Sequence, residues 1–164
     1  MSVEKTCCFT GHRRISPSVE KELKQALRRE VVRLIEEGGV TRFLSGGALG
    51  FDTLASETVL ELVDAYPGIR LVVVRPCADQ TRGWNLKDVE RYALILRRAS
   101  EVVTIAHTYY PGCMQERNRY LVDHADLCLC FLEDETGGTA YTVRYAERAG
   151  IPVINLSPKA REDV

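Results

Sequence analysis

The chain has 164 residues, of which 45% are hydrophobic and 27% charged, with a formal net charge of -1. This length fits one domain with a substantial core, and the composition excludes intrinsic disorder. The charge balance gives no global attraction for nucleic acid or a membrane surface, so nucleic acid is not expected as a partner.

The elements alternate along the chain. A first strand reads Thr6-Cys7-Cys8-Phe9-Thr10 and stops at Gly11. Ser16-Pro17 opens a helix with Val19, Leu23, Ala26, Leu27, Val31, Leu34 and Ile35 at helical spacing, closed by Gly38-Gly39. A strand over Thr41-Arg42-Phe43-Leu44 runs into Ser45-Gly46-Gly47, and a second helix carries Leu49, Leu54, Ala55, Val59, Leu62 and Val63. Ile69 to Val74 is almost wholly apolar, the pattern of a central parallel strand covered on both faces. After a polar loop from Pro76 to Asn85, a helix over 86–98 and a strand over 102–105 are predicted. A loop over 107–112 leads to a helix over 114–124, then a buried strand over 127–132. A loop over 133–139, a helix to Gly150 and a last strand, Pro152-Val153-Ile154-Asn155, complete the domain.

Repeated strand–helix alternation with short connections predicts a Rossmann-like three-layer α/β/α fold with a mainly parallel sheet, one domain over 1–158 and a polar tail over 159–164. The six cysteines have no C-x-x-C spacing and the three histidines are scattered, which argues against zinc; no other metal and no cofactor is implied. Cys7, Cys8, Cys128 and Cys130 lie in apolar runs and read as buried packing groups. Charge from Glu4 onward leaves no apolar signal segment, and no apolar stretch reaches membrane-spanning length. A reducing, cytoplasmic setting and no membrane partner are the expectations.

In open parallel sheets ligands bind beyond the carboxyl ends of the strands. Gly11, His12 and Arg13 follow the first strand. Ser45, Gly46, Gly47, Gly50 and Asp52 follow the second. Arg117 and Asn118 stand early in a later helix, and Gly137, Gly138 and Thr139 follow the strand ending at Leu132. Glycine at such junctions makes a tight turn or lets backbone amides at a helix start approach a phosphate. Arg13 offers a planar fork for phosphate or belongs to a solvated loop, and His12 can donate or accept in a pocket. Asp52 accepts from ribose hydroxyls, caps local amides or complements the helix dipole. Trp84 stacks on a base or fills a surface groove.

Four stretches, CCFTGHR (7–13), FLSGGALGFDTLASETVL (43–60), CMQERNRYLVDHAD (113–126) and GGTAYTVRYA (137–146), resemble the SLOG superfamily, which includes the DNA-processing protein DprA and the LOG nucleotide hydrolases. They are most similar to the YoqJ/YpsA-like family within it. The resemblance implies a pocket for nucleotides or nucleotide-derived ligands, and self-association into a homo-oligomer. LOG enzymes cleave the N-glycosidic bond of nucleoside monophosphates with an arginine in M-x-x-R-K and a glutamate in P-G-G-x-G-T-x-x-E. Arg117 matches the arginine, whereas Thr142 stands at the glutamate, and a hydroxyl cannot replace that carboxylate. Binding or sensing of a phosphorylated nucleotide-like ligand is therefore expected ahead of LOG-like hydrolysis by a relocated carboxylate (Glu116, Glu133, Asp134, Glu135 or Asp52). DprA-like binding of single-stranded DNA, with its S-G-x-A-x-G-x-D segment matched by residues 45–52, comes third.

Overall fold

The structure, a computed structural model, describes residues 4–159; residues 1–3 and all of the expected polar tail but Lys159 lie outside it. Strands β1 (Lys5–Gly11), β2 (Val40–Ser45), β3 (Arg70–Cys77), β4 (Glu101–Ala106), β5 (Leu127–Phe131) and β6 (Val153–Asn155) alternate with helices α1 (Pro17–Glu36), α2 (Phe51–Leu62), α3 (Leu86–Arg98), α4 (Cys113–Asp123) and α5 (Gly138–Ala149). The predicted elements are all present, but β3 runs on through Arg75, Pro76 and Cys77, so the expected polar loop begins only after Cys77. Ser16 is the N-cap of α1 as expected, but its hydroxyl meets the Ser18 hydroxyl at 2.9 Å and caps no amide. Asn85 does cap α3, accepting from the Asp88 amide at 2.8 Å.

All five strand pairings are parallel, in the order β4-β3-β2-β1-β5-β6. The chain walks outward from β1 to β4, then returns across the sheet to β5 on the other side of β1. Right-handed crossovers place helices of the outward walk on one face and those of the return on the other. Accordingly α1, α2 and α3 pack together on one face and α4 with α5 on the opposite one. The strands serve both layers by alternation: Cys7, Phe9 and Phe43 face the first core, while Cys8, Leu44 and Cys128 face the second.

Helix burial follows position. On α1 a single stripe, Leu23, Leu27, Val31 and Leu34, is buried. Central α2 is flanked by α1 and α3 and buries residues around most of its circumference, Ser56 and Thr58 included. All six cysteines are buried and free, and burial raises the Cys7 and Cys130 thiols, leaving them protonated packing groups. Among the described residues, no helix is long and apolar enough to cross a membrane, and no cluster of three His, Cys, Asp or Glu side chains is placed to hold a metal ion.

The four phenylalanines form one cluster. Phe9 stacks on Phe43 at 5.8 Å and meets Phe51 edge-on at 6.3 Å, and Phe51 stacks on Phe131 at 6.3 Å. It ties β1, β2 and β5 to the first turn of α2. Phe9→Ala should therefore cost about 3–5 kcal/mol, read from urea denaturation midpoints at constant m-value.

Candidate functional site

The carboxyl ends of β1 and β5 are where the chain reverses direction in the sheet, so the loops leaving them diverge to opposite faces and open a crevice. A cleft of about 530 Å³ lies there, a size suited to a small organic ligand. Its walls come from the end of β1 (Thr10 to Arg13), the α2 junction (Ala48, Asp52), the first turns of α4 (Met114, Arg117, Asn118) and the start of α5 (Thr136 to Thr139, Tyr141). Of the sequence-predicted residues, Gly11, His12, Arg13, Asp52, Arg117, Asn118, Gly137, Gly138 and Thr139 are thus brought together.

The others lie elsewhere, for identifiable reasons. Ser45 is fully buried beneath the β2–α2 turn, where its hydroxyl accepts from the Ser56 hydroxyl at 2.8 Å and from the Gly47 amide at 3.3 Å. A Cβ on Gly47 would meet Val73, Gln80 and Tyr92, so Gly47 faces the β3–α3 side. Gly50 has φ +76°, and a Cβ there would lie 2.3 Å from the Arg13 carbonyl oxygen; it lets two loops touch, beside a smaller cavity of about 200 Å³. Gly46 is pressed by the protein itself, since a Cβ would sit 2.7 Å from Arg117 Nη1 and 2.9 Å from Asp52 Oδ2. Internal packing therefore accounts for the absence of side chains at 46, 47 and 50. Trp84 is half-buried, its ring edge-on to Tyr92 at 5.3 Å, and is not among the cleft residues. Thr142 is buried and donates to the Gly138 carbonyl at 2.8 Å, so the position matching the LOG glutamate does not face the cleft.

Gly137 and Gly138 differ from the β2–α2 glycines: a Cβ on either would meet nothing within 4 Å. Gly137 holds φ +99° as the N-cap of α5, and no side chain caps the helix. Among the described residues, no protein acceptor is bonded to the amides of Gly138, Thr139 or Ala140. These are first-turn donors without an intrahelical partner, at the positive end of a helix.

Two arginines and one carboxylate set the electrostatics. Arg13 is exposed at the rim, and its Nη2 donates to Met114 Sδ at 3.1 Å. Arg117 is buried; its Nη1 donates to the Gly46 carbonyl and its Nε to Asn118 Oδ1 at 2.8 Å. Gly46 O also accepts from Gln80 Nε2 at 3.0 Å, and Gln80 Oε1 accepts from the Tyr92 hydroxyl at 2.9 Å. Gln80, Met114 and Tyr141 are contributors that loop position did not single out. Burial lowers the Arg117 guanidinium, and Asp52 opposes that shift.

Asp52 is 5% exposed; Oδ2 accepts from the Ala48 amide at 3.2 Å, while Oδ1 has no partner. Burial pushes its carboxyl up to about 6, against the pull of Arg117, the Ala48 amide and Arg13. Glu116, Glu133, Asp134 and Glu135 are absent from the cleft, which leaves Asp52 as its carboxylate among the described residues. His12 is engaged: its Nε2 accepts from the Glu133 amide at 2.8 Å, a bond that requires the proton on Nδ1. The imidazole thereby clasps the β1 loop to the β5 loop.

Comparison with known proteins gives a consistent assignment. A family model described as the YspA SLOG family matches residues 9–151. UPF0398 proteins are similar: that of Bacillus pumilus is 32% identical over 76% of this chain and 68% of its own length, and that of Halalkalibacterium halodurans 35% identical over 77% and 68%. In fold, the chain is similar to DNA processing protein A from Helicobacter pylori, a structure described for its single-stranded DNA binding mode (TM-score 0.64, 21% identity), covering 91% of this chain but 63% of that one. The Streptococcus pneumoniae DNA processing protein A gives a TM-score of 0.67 at 16% identity, over 92% of this chain and 49% of that one.

The Asp52 carboxyl makes a signed prediction. With its folded midpoint at about 6, above an ordinary 3.8, the native state holds a proton that the unfolded chain has lost across that window. Its stability contribution is present below the lower value and is lost as pH rises through the upper one. The unfolding free energy of Asp52→Asn minus that of the wild type should accordingly rise by roughly 2 kcal/mol between pH 4 and 7. Paired urea titrations across that range measure the slope, in which any constant effect of the substitution cancels.

Proposed function

Because the chain belongs to the YspA SLOG family, we propose that its cleft binds a nucleotide or nucleotide-derived phosphorylated ligand, with the phosphate at the start of α5. The observation that carries this reading is the start of α5, where Gly138 and Thr139 line the cleft and their amides have no protein partner among the described residues. Backbone donors at a helix start bind phosphate without a side chain, and Arg13 adds a planar cation at the rim. The apolar wall of Phe9, Met114 and Leu121 accommodates the uncharged remainder of the ligand.

A second reading, hydrolysis of a nucleotide N-glycosidic bond, is favoured by Asp52, a cleft carboxylate whose midpoint near 6 suits general acid–base work at neutral pH. It predicts free base released from a nucleoside monophosphate and abolished by Arg117→Ala; an absence of release leaves binding alone. Single-stranded DNA is a third occupant to test. The expectation against it rested on net charge, an average that does not describe a cleft, and DNA processing protein A shares the fold. Self-association, implied by the family resemblance, belongs to the same proposal and is read by light scattering.

Thermal unfolding against nucleotides, dinucleotides, sugar phosphates and an oligothymidylate at low salt tests the reading. A ligand at one hundred times its Kd should stabilise by about 2.7 kcal/mol and raise Tm by roughly 5–10 °C. Arg13→Ala should weaken that ligand about tenfold and leave the free protein's Tm unchanged, because Arg13 is exposed. No shift with any nucleotide, dinucleotide or sugar phosphate would overturn the proposal, and a shift with the oligonucleotide alone would replace it by DNA binding.

A further inference from the structure

The two edges of the sheet differ. β6 ends one side with three residues, whereas β4 ends the other with six, Glu101 to Ala106. β4 pairs with β3, and among the described residues its outer backbone groups meet no protein partner. Exposed edges are commonly blunted by lysine or proline, and β4 carries neither. Exposed apolar side chains collect in the same stretch of chain. Among the described residues the exposed large hydrophobics are Leu86, Leu94, Val102, Tyr109 and Tyr110, which come from α3, β4 and the loop after it. None lies elsewhere. Val102 is in register with Val73 and points to the layer of α3, while Val103 and Ile105 point to the layer of α4 and are half-buried.

A second copy of this chain is the occupant that fits this edge. A two-fold axis normal to the sheet sets two β4 strands antiparallel and keeps each layer beside its counterpart. Residues opposite each other must then point to the same layer, which restricts the register to steps of two. Centred on Thr104, Val103 opposes Ile105, Val102 opposes Ala106, and Glu101 faces His107 of the second copy. Centring on Val103 instead sets Glu101 against Ile105, and centring on Ile105 sets Val103 against His107. Of the three, the Thr104 register alone joins apolar to apolar and a carboxylate to an imidazole donor. His107 prolongs the strand, since its carbonyl accepts from the Ala78 amide at 3.2 Å beside β3. The axis repeats every pair, so the contact closes on two copies and leaves short β6 outside it. We propose that the chain dimerises through its β4 edges in the register centred on Thr104, an inference that rests on the self-association proposed above and gives it a surface.

Sedimentation equilibrium on the full chain tests this, with the mass of two chains expected at about 100 µM. Glu101→Lys sets two donors face to face and His107→Glu two carboxylates, at both symmetric positions. Each should weaken the dimer about tenfold. The double variant, Glu101→Lys with His107→Glu, places opposite charges together again and should return the dimer at least to wild-type strength. Both residues are exposed, so neither change disturbs the core. Within one chain they stand at opposite ends of the strand, roughly 20 Å apart, so the rescue reports contact between copies. A chain that stays monomeric at about 100 µM overturns the dimer and self-association with it, and leaves the cleft's ligand untouched. A dimer that ignores the single reversals, or that the double variant fails to restore, overturns the β4 register and leaves self-association standing.

Discussion

The contact between Phe51 and Gly11 is the constraint on which the site depends. Phe51 opens α2 with its ring over the end of β1, where any Cβ on Gly11 would lie 2.4 Å from the ring's own Cβ and Cγ. The Phe51 amide donates to the His12 carbonyl at 3.1 Å, fixing the helix start to the loop leaving β1. The ring also reaches Phe131 at the end of β5, so one side chain joins both strands of the switch point. Asp52 is the next residue, and its place in the cleft follows from where Phe51 is seated. A hydrophobic anchor thus sets the position of a carboxylate, with the strength of a packed aromatic cluster rather than of a surface ion pair.

On the other side of the cleft the anchoring is polar. Arg117 is buried, and removing such a charge from water is tolerated only when its donors are used and an opposite charge is near. The Gly46 carbonyl, Asn118 and Asp52 meet those needs, and Gln80 holds the same carbonyl from behind. The β3–α3 loop, through Gln80 and Trp84, and Tyr92 on α3 are therefore part of the support for Arg117 without touching the cleft. Buried charge explains why Gly46 has no side chain: Arg117 and Asp52 close on its α-carbon.

Most of the architecture was legible because burial writes periodicity. The 3.6-residue stripe of α1 and the apolar run of β3 give element type directly, and alternation gives a parallel sheet. The strand ends also named most of the cleft, since topology alone puts them on one edge. Spacing does not say which way a loop residue faces. Hence position after a strand groups Ser45, Gly47, Gly50 and Trp84 with the site, whereas the cleft wall leaves them out, and it does not show that a backbone amide occupies His12 Nε2. Two glycine pairs look alike as letters, yet one is enclosed by protein and the other opens to space, a distinction carried by neighbours distant in sequence. Tyr141 is illegible in the sequence for the same reason, because helical phase is defined only once the start of α5 at Gly138 is fixed.

What separates scaffold from function here is the asymmetry of Asp52. A structural acceptor for the Ala48 amide needs one oxygen, and an asparagine at this position supplies that without the cost of a buried charge. The carboxylate brings a second, buried oxygen with no partner among the described residues, and burial displaces its titration toward neutrality. Its attraction to Arg117 recovers part of that cost, but Arg117 is itself held by neutral acceptors and does not bond the free oxygen. Packing and turn geometry therefore account for one half of the carboxylate and leave the other unexplained. The amides at the start of α5 are the other polar groups of the cleft without a protein partner among the described residues, and they stand at the positive end of a helix, where an anion is favoured.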